Sequence, residues 1–270
     1  MLSYLEVAKK TAREAGALLM ERLGSVREYE YKYKNSMVTK VDVESEKLIV
    51  EMLRSHFPDH GMFGEELGET DSESDFRWII DPVDGTTNYL HAYPYFSVSI
   101  GLELSGELQA GVVYDPFKDE MFSAERGGGA HLNGKPISPS RVESLGESLV
   151  VTGFTHQEQW MLEQGIEHLV NFMRRTQGFR RDGSAALDLC HVAAGRTDGF
   201  WEIGLHAWDI AAGVLILREA GGVATDFSGG ALDIYGVEML ASNGRIHEQM
   251  VEVLGLVHAR DEETPVSIKG

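Results

Sequence analysis

The chain has 270 residues, enough to bury a sizeable core as one large domain or as two closely packed halves. Hydrophobic residues make up 43% and charged residues 25%, which excludes a largely disordered chain. With 24 basic against 43 acidic side chains the net charge is −19, so nucleic acid and anionic membrane are repelled and neither is expected as a partner.

The first predicted element is a helix, because Leu2, Leu5, Ala8, Ala12, Ala15, Leu19 and Leu23 recur at helical spacing and Gly24 can stop it. That stretch alternates charge with apolar residues and lacks the continuous apolar run of a signal peptide. No run of about 18 apolar residues occurs elsewhere, so the cytoplasm is the expected location. A second helix is predicted from Val43 to His56, with Leu48, Ile49, Met52 and Leu53 as its buried stripe. The segments Trp78–Ile80, Ser97–Leu104, Leu108–Tyr114 and Glu120–Ala124 are short, β-prone and separated by turn residues, as in a meandering antiparallel sheet. Asn133–Gly134 marks a tight hairpin turn.

From Val150 onward strand and helix alternate. Helices are predicted at Glu158–Phe172, Ser184–Ala194, Ala207–Ala220 and Arg245–Leu254, and strands at Leu149–Thr152, Gly199–Glu202 and Met239–Ala241. The tail from His258 to Gly270 is polar and reads as loose. A boundary near Pro139–Glu147 divides an α+β half, residues 1–145, from an α/β half, residues 146–270.

The most specific local feature is Asp81-Pro82-Val83-Asp84-Gly85-Thr86-Thr87-Asn88, directly after the apolar Trp78-Ile79-Ile80. Pro82 biases Asp81 toward extended backbone, so two carboxylates three residues apart sit at a strand end. Gly85 permits a tight turn. Thr86, Thr87 and Asn88 are N-cap residue types, so a short helix is expected to begin there and to expose N–H groups suited to a phosphate. Taken alone, Asp-Gly-Thr reads simply as a turn and cap; the full eight-residue string after an apolar strand is far more specific. Gly64-Glu65-Glu66 falls in a predicted loop, where a solvated acidic pair is the ordinary explanation. Asp209 falls in the first turn of a predicted helix, where it can simply complement the dipole.

Together, Gly-Glu-Glu, Trp-Ile-Ile-Asp-Pro-Val-Asp-Gly-Thr-Thr-Asn and Trp208-Asp209-Ile-Ala-Ala-Gly resemble the inositol monophosphatase family. Val38-Thr39-Lys40-Val41-Asp42 with Glu46, and Gly183-Ser184-Ala185-Ala186-Leu187-Asp188, extend the resemblance over about Leu2 to Leu254. It implies a layered αβαβα sandwich and a magnesium-dependent, lithium-sensitive phosphatase that forms a homodimer. By the match, Glu65, Asp81 and the Val83 carbonyl would hold one Mg2+, and Asp81, Asp84 and Asp209 a second; Glu65 would share a third, giving two to three ions. Phosphate would lie against Asp84, Gly85 and Thr86. Asp42 and Thr86, with one metal, would activate a water. Gly183, Ser184, Ala185 and Glu202 would meet the substrate, a small phosphorylated polyol or sugar.

Magnesium prefers oxygen ligands, which suits this donor set, and so many carboxylates without an interposed lysine or arginine require cations between them. Cys190 is the only cysteine; it excludes an intrachain disulfide and reads as a buried structural thiol. Glu202 is otherwise a solvated strand-end residue, and His206 either lines the mouth or packs. Lys34 and Asn35 precede a loop that orders around metal in the family, where Ser36-Met37 departs from the usual pattern. Relatives hydrolyse fructose 1,6-bisphosphate or histidinol phosphate. The cluster Arg174, Arg175, Arg180 and Arg181 keeps a bisphosphate reading open, against a salt-bridged subunit interface. A non-catalytic regulatory module is the other class, and it would be favoured by loss of any metal carboxylate.

Overall fold

The computed structural model describes residues 3–25, 29–33, 36–70, 72–155 and 157–263. α1 (Tyr4–Arg22) is capped by Ser3, whose hydroxyl accepts the Glu6 N–H. A two-stranded ribbon, β1 (Tyr29–Tyr33) and β2 (Ser36–Thr39), leads into α2 (Lys40–His56). α2 starts earlier than its apolar stripe indicates, because Thr39 and Asp42 form a reciprocal capping box that places Asp42 in the first turn. Lys34 and Asn35 lie outside the described residues.

There follow β3 (Gly61–Gly64), β4 (Gly68–Thr70), β5 (Phe76–Asp84), α3 (Thr86–Leu90), β6 (Ser97–Leu104), β7 (Glu107–Asp115), β8 (Glu120–Glu125), β9 (Ala130–Leu132) and β10 (Lys135–Pro136). They form an eight-stranded sheet ordered β10-β9-β8-β7-β6-β5-β3-β4. From β5 to β10 each strand pairs antiparallel with the next, as the spacing of turns predicts. Asn133 and Gly134 both take positive φ, which gives the hairpin turn a twist that matches its strands. The parallel pairing of β3 with β5 is a non-local contact with no signal in the sequence.

The second sheet is built from β11 (Leu149–Thr152), β12 (Gly178–Arg180), β13 (Gly199–Ile203), β14 (Val223–Thr225) and β15 (Glu238–Ser242), ordered β12-β11-β13-β15-β14. Interleaved with them are α4 (Gln159–Met173), α5 (Ala185–Ala193), α6 (Ala207–Ala220) and α7 (His247–Glu263). α7 continues to Glu263, into the stretch read from sequence as a loose tail; residues 264–270 lie outside the described residues.

Alternation along the strands decides the layering. Trp78, Ile80, Ile100 and Val112 face α1 and α2, whereas Ile79, Val113 and Phe122 face α5 and α6. In the second sheet Val151, Phe200 and Ala241 face α5 and α6, whereas Val150, Trp201 and Leu240 pack against Phe172 of α4 and Met250 of α7. The result is the five-layer αβαβα sandwich that the resemblance implies. Each large side chain fully buried in these layers contributes roughly 1.5–3 kcal/mol. Among the described residues no helix is long and apolar enough to cross a membrane.

One packing detail positions the site. Gly101 and Gly111 lie opposite each other on β6 and β7. A Cβ on Gly111 would come within 2.8 Å of the Ala212 carbonyl oxygen, and one on Gly101 within 3.2 Å of the Ala211 Cβ. The bare glycines let α6 settle onto the sheet, with its N-terminal turn beside the end of β5. Ser99 Oγ donates to the Trp208 carbonyl at 3.2 Å and pins that turn.

Candidate active site

β5 carries Asp81 and Asp84. In a regular strand, residues three apart point to opposite faces. Here the pairing of β5 with β6 slips, with Asp81 opposite Ser99 and Asp84 opposite Ser97, so β5 holds one extra residue. That bulge brings both carboxylates to one side, and Pro82, which has no N–H to give to a ladder, sits inside it. Asp81 Oδ1 accepts the Val83 N–H at 2.9 Å.

Asp209 arrives from the first turn of α6, where its carboxylate accepts the His206 N–H at 2.7 Å. Ligand oxygens of Asp81, Asp84 and Asp209 lie within 4.8 Å of one another. Burial, then the charges of Glu65, Asp84 and Asp209, push the Asp81 carboxyl well above the usual range. Asp209 is raised in the same way by burial and then by Glu65 and Asp84. Burial pushes Asp84 up to about 6, although Ser184 Oγ and the Ala186 N–H donate to it. Like charges at this separation need a proton or a cation between them. An all-oxygen donor set of this kind fits a hard divalent cation.

Glu65 follows β3 in a turn, and its N–H donates to the Ile80 carbonyl at 3.2 Å. Its charge bears on Asp42, Asp81, Asp84 and Asp209. The turn is held from below by Glu46, fully buried on α2, whose carboxylate accepts the Glu66 N–H at 2.8 Å and the Leu67 N–H at 2.9 Å. A Cβ on Gly64 would lie 2.0 Å from Glu46 Oε1, so the glycine makes room for that carboxylate. Sequence reasoning placed Glu46 in a motif without giving it a task. Its i+4 spacing from Asp42, which puts both on one helix face, is the signal that points to one.

Gly85, not Thr86, is the N-cap of α3; it takes φ +95°, a conformation that favours glycine. A Cβ there would also meet the carbonyl oxygens of Gly183 at 3.0 Å and Tyr95 at 3.1 Å. Freed from capping, Thr86 Oγ1 lies 3.1 Å from Asp42 Oδ1 and 3.1 Å from the Val83 carbonyl oxygen. Burial raises the Asp42 carboxyl above its usual range, opposed by the hydrogen bond from Thr39.

Gly183 begins the approach to α5, and Asn88 Nδ2 ties this segment to α3 by donating to the carbonyls of Tyr95 at 2.7 Å and Asp182 at 2.8 Å. Ser184 and Ala185 are buried, and the Ser184 hydroxyl is engaged by Asp84. Glu202 lies inside β13 rather than at a solvated strand end; it is 8% exposed, and burial pushes its carboxyl up to about 8. His206 stacks on Trp208 with centroids 4.6 Å apart. Arg174, Arg175, Arg180 and Arg181 are all exposed, and none forms an ion pair among the described residues. Arg175 and Arg180 instead donate to the carbonyls of Asn171 and Phe179. Cys190 is fully buried, and burial raises its thiol well above the usual value.

The model of the inositol monophosphatase family matches residues 1–258. An inositol-1-monophosphatase of Synechocystis is 41% identical over 254 residues, covering 93% of this chain and 88% of that protein. The Nus factor SuhB of Escherichia coli strain K12 is 40% identical over 265 residues, covering 97% of each. Among solved structures, an inositol monophosphatase from Thermotoga maritima superposes with a TM-score of 0.89 at 38% identity, covering 96% of this chain and 99% of that one.

Proposed function

The chain belongs to the inositol monophosphatase family and is a phosphoric monoester hydrolase, and on that premise we propose that it removes phosphate from inositol monophosphate or a similar small polyol phosphate in a magnesium-dependent reaction. The observation that carries this reading is the buried Asp81, Asp84 and Asp209 cluster beside the Asp42–Thr86 pair. Glu65, Asp81, Asp84, Asp209 and the Val83 carbonyl are the residues that would hold the metal. Two to three magnesium ions bound there would supply the positive charge that draws in a phosphate and acidifies an attacking water.

The chain's own groups do the rest. N–H groups at Gly85 and Thr86, at the start of α3, receive phosphate oxygens. Thr86 Oγ1 accepts a hydrogen from the attacking water while directing its own toward Asp42 Oδ1, which fixes the line of attack. Ser184 and the Ala186 N–H hold Asp84 in place. Glu202 hydrogen-bonds hydroxyls of the polyol and sets specificity without acting as a ligand, and Gly183 and Ala185 complete that wall. No side chain serves as nucleophile, and Cys190 is too deeply buried to reach a substrate.

A second substrate reading, a sugar bisphosphate, is supported by the exposed Arg174, Arg175, Arg180 and Arg181, none of which forms an ion pair among the described residues. The name Nus factor belongs to the E. coli relative. For this chain the complete set of carboxylates weighs toward catalysis over a purely regulatory role. The family likeness also carries a homodimer, which the molar mass in solution tests. A phosphate-release screen over inositol monophosphates, fructose 1,6-bisphosphate and histidinol phosphate decides the substrate. Preference for an inositol monophosphate is expected, and preference for the bisphosphate would move the assignment to the arginine cluster.

A further inference from the structure

Glu202 is held by a contact that no motif announces. β11 and β13 run in parallel with Thr152 opposite Trp201, which brings the next residues, Gly153 and Glu202, level with each other. A Cβ built on Gly153 would lie 2.2 Å from Glu202 Oε2, 2.3 Å from Oε1 and 2.4 Å from Cδ, and these are the nearest atoms to it. Gly153 is not among the glycines with positive φ, so its backbone conformation suits any residue. The requirement for glycine is therefore one of space, and the carboxylate is what fills the space. No donor among the described residues hydrogen-bonds Glu202, and the opposing charge that bears on it is that of Arg181. A buried carboxylate without protein donors is costly unless a ligand supplies them.

We propose that Gly153 is a positioning residue for substrate specificity: its bare Cα face is the shelf on which the Glu202 carboxylate lies, aimed at the hydroxyls of a polyol leaving group. This rests on the reading of Glu202 given above. Any side chain at residue 153 must drive the carboxylate from 2.2 Å to an ordinary contact near 3.4 Å, a displacement of about an ångström. Misplacement on that scale costs up to about a hundredfold in a positioned reaction.

The test uses the full chain and the ratio of kcat/KM for inositol 1-phosphate to that for p-nitrophenyl phosphate, which lacks the hydroxyls. Gly153→Ala is expected to lower this ratio about ten- to a hundredfold. Glu202→Gln should lower it similarly, and Gly153→Ala with Glu202→Gln should lower it no further than Glu202→Gln alone, because both changes act on one contact. A Gly153→Ala ratio equal to wild type, with Glu202→Gln still lowered, overturns the role of Gly153 and leaves that of Glu202 standing. A Glu202→Gln ratio equal to wild type overturns both. Failure of Gly153→Ala to fold also overturns the proposal, since the shelf would then serve the fold rather than the ligand.

Discussion

Replacing Glu46 by glutamine changes one atom and disturbs the turn that carries Glu65. In the native chain the carboxylate accepts two backbone bonds, from Glu66 at 2.8 Å and Leu67 at 2.9 Å. Glutamine keeps one acceptor oxygen, while its NH2 group turns a donor toward one of those two N–H groups. Loss of a hydrogen bond to a charged group at this fully buried position costs about 1.5–3 kcal/mol. Gly64 leaves no slack, because its Cα face already abuts Glu46. The turn must therefore shift, and Glu65 with it. In denaturant unfolding with chelator present, Glu46→Gln should lower the unfolding free energy by that amount, which moves the midpoint down without changing the slope. In phosphate release, the apparent magnesium affinity should fall about tenfold, the equivalent of roughly 1.4 kcal/mol at the displaced ligand. A Glu46→Gln protein of reduced stability but unaltered magnesium dependence would refute the link between Glu46 and Glu65. An unaltered midpoint would refute the energetics.

The same geometry fixes the remaining outcomes. Asp84→Asn and Asp209→Asn should each lose activity on the order of a hundredfold or more in phosphate release, the equivalent of several kcal/mol of charge stabilisation. Asp209→Asn should also melt at a higher temperature than wild type in chelator, because it removes one charge from a crowded buried set. Glu202 has its carboxyl raised from 4.5 to about 8 in the folded chain, so its contribution to stability is present below pH 4.5 and is lost as the pH rises through 8. The chelated protein should accordingly melt lower at pH 8 than at pH 5.5, with a smaller difference in Glu202→Gln; a melting temperature that rises with pH would contradict this. Cys190→Ala should cost roughly 1 kcal/mol of burial and leave turnover near wild type, and a large loss of turnover would reveal a thiol role.

What could be read from sequence was what is local. Asp81, Asp84, Gly85 and Thr86 lie within one short stretch, and their turn and helix start follow from Pro82 and Gly85. The predicted α6 matches Ala207–Ala220 because its apolar residues and the Gly221 stop are unambiguous. Other features depend on partners distant in sequence. The bulge that turns Asp81 and Asp84 to one side exists only in pairing with Ser97 and Ser99. The support of Glu65 by Glu46, and the shelf under Glu202, are contacts between elements whose meeting no periodicity encodes. β4, β12 and β14 are three residues each, too short for alternation to register. Thr86, Thr87 and Asn88 are all N-cap residue types, but a glycine in the left-handed region holds the cap, and the Thr86 hydroxyl instead reaches Asp42, the pair that the family resemblance implies.

The proposed phosphatase activity depends on a divalent cation held by Glu65, Asp81, Asp84 and Asp209. Its most direct test is magnesium titration of the chelator-stripped protein, followed by inorganic phosphate released from inositol monophosphate. Release should be absent without the cation and rise saturably as it is added, with no such rise in Asp209→Asn. Undiminished release in excess chelator would contradict the account.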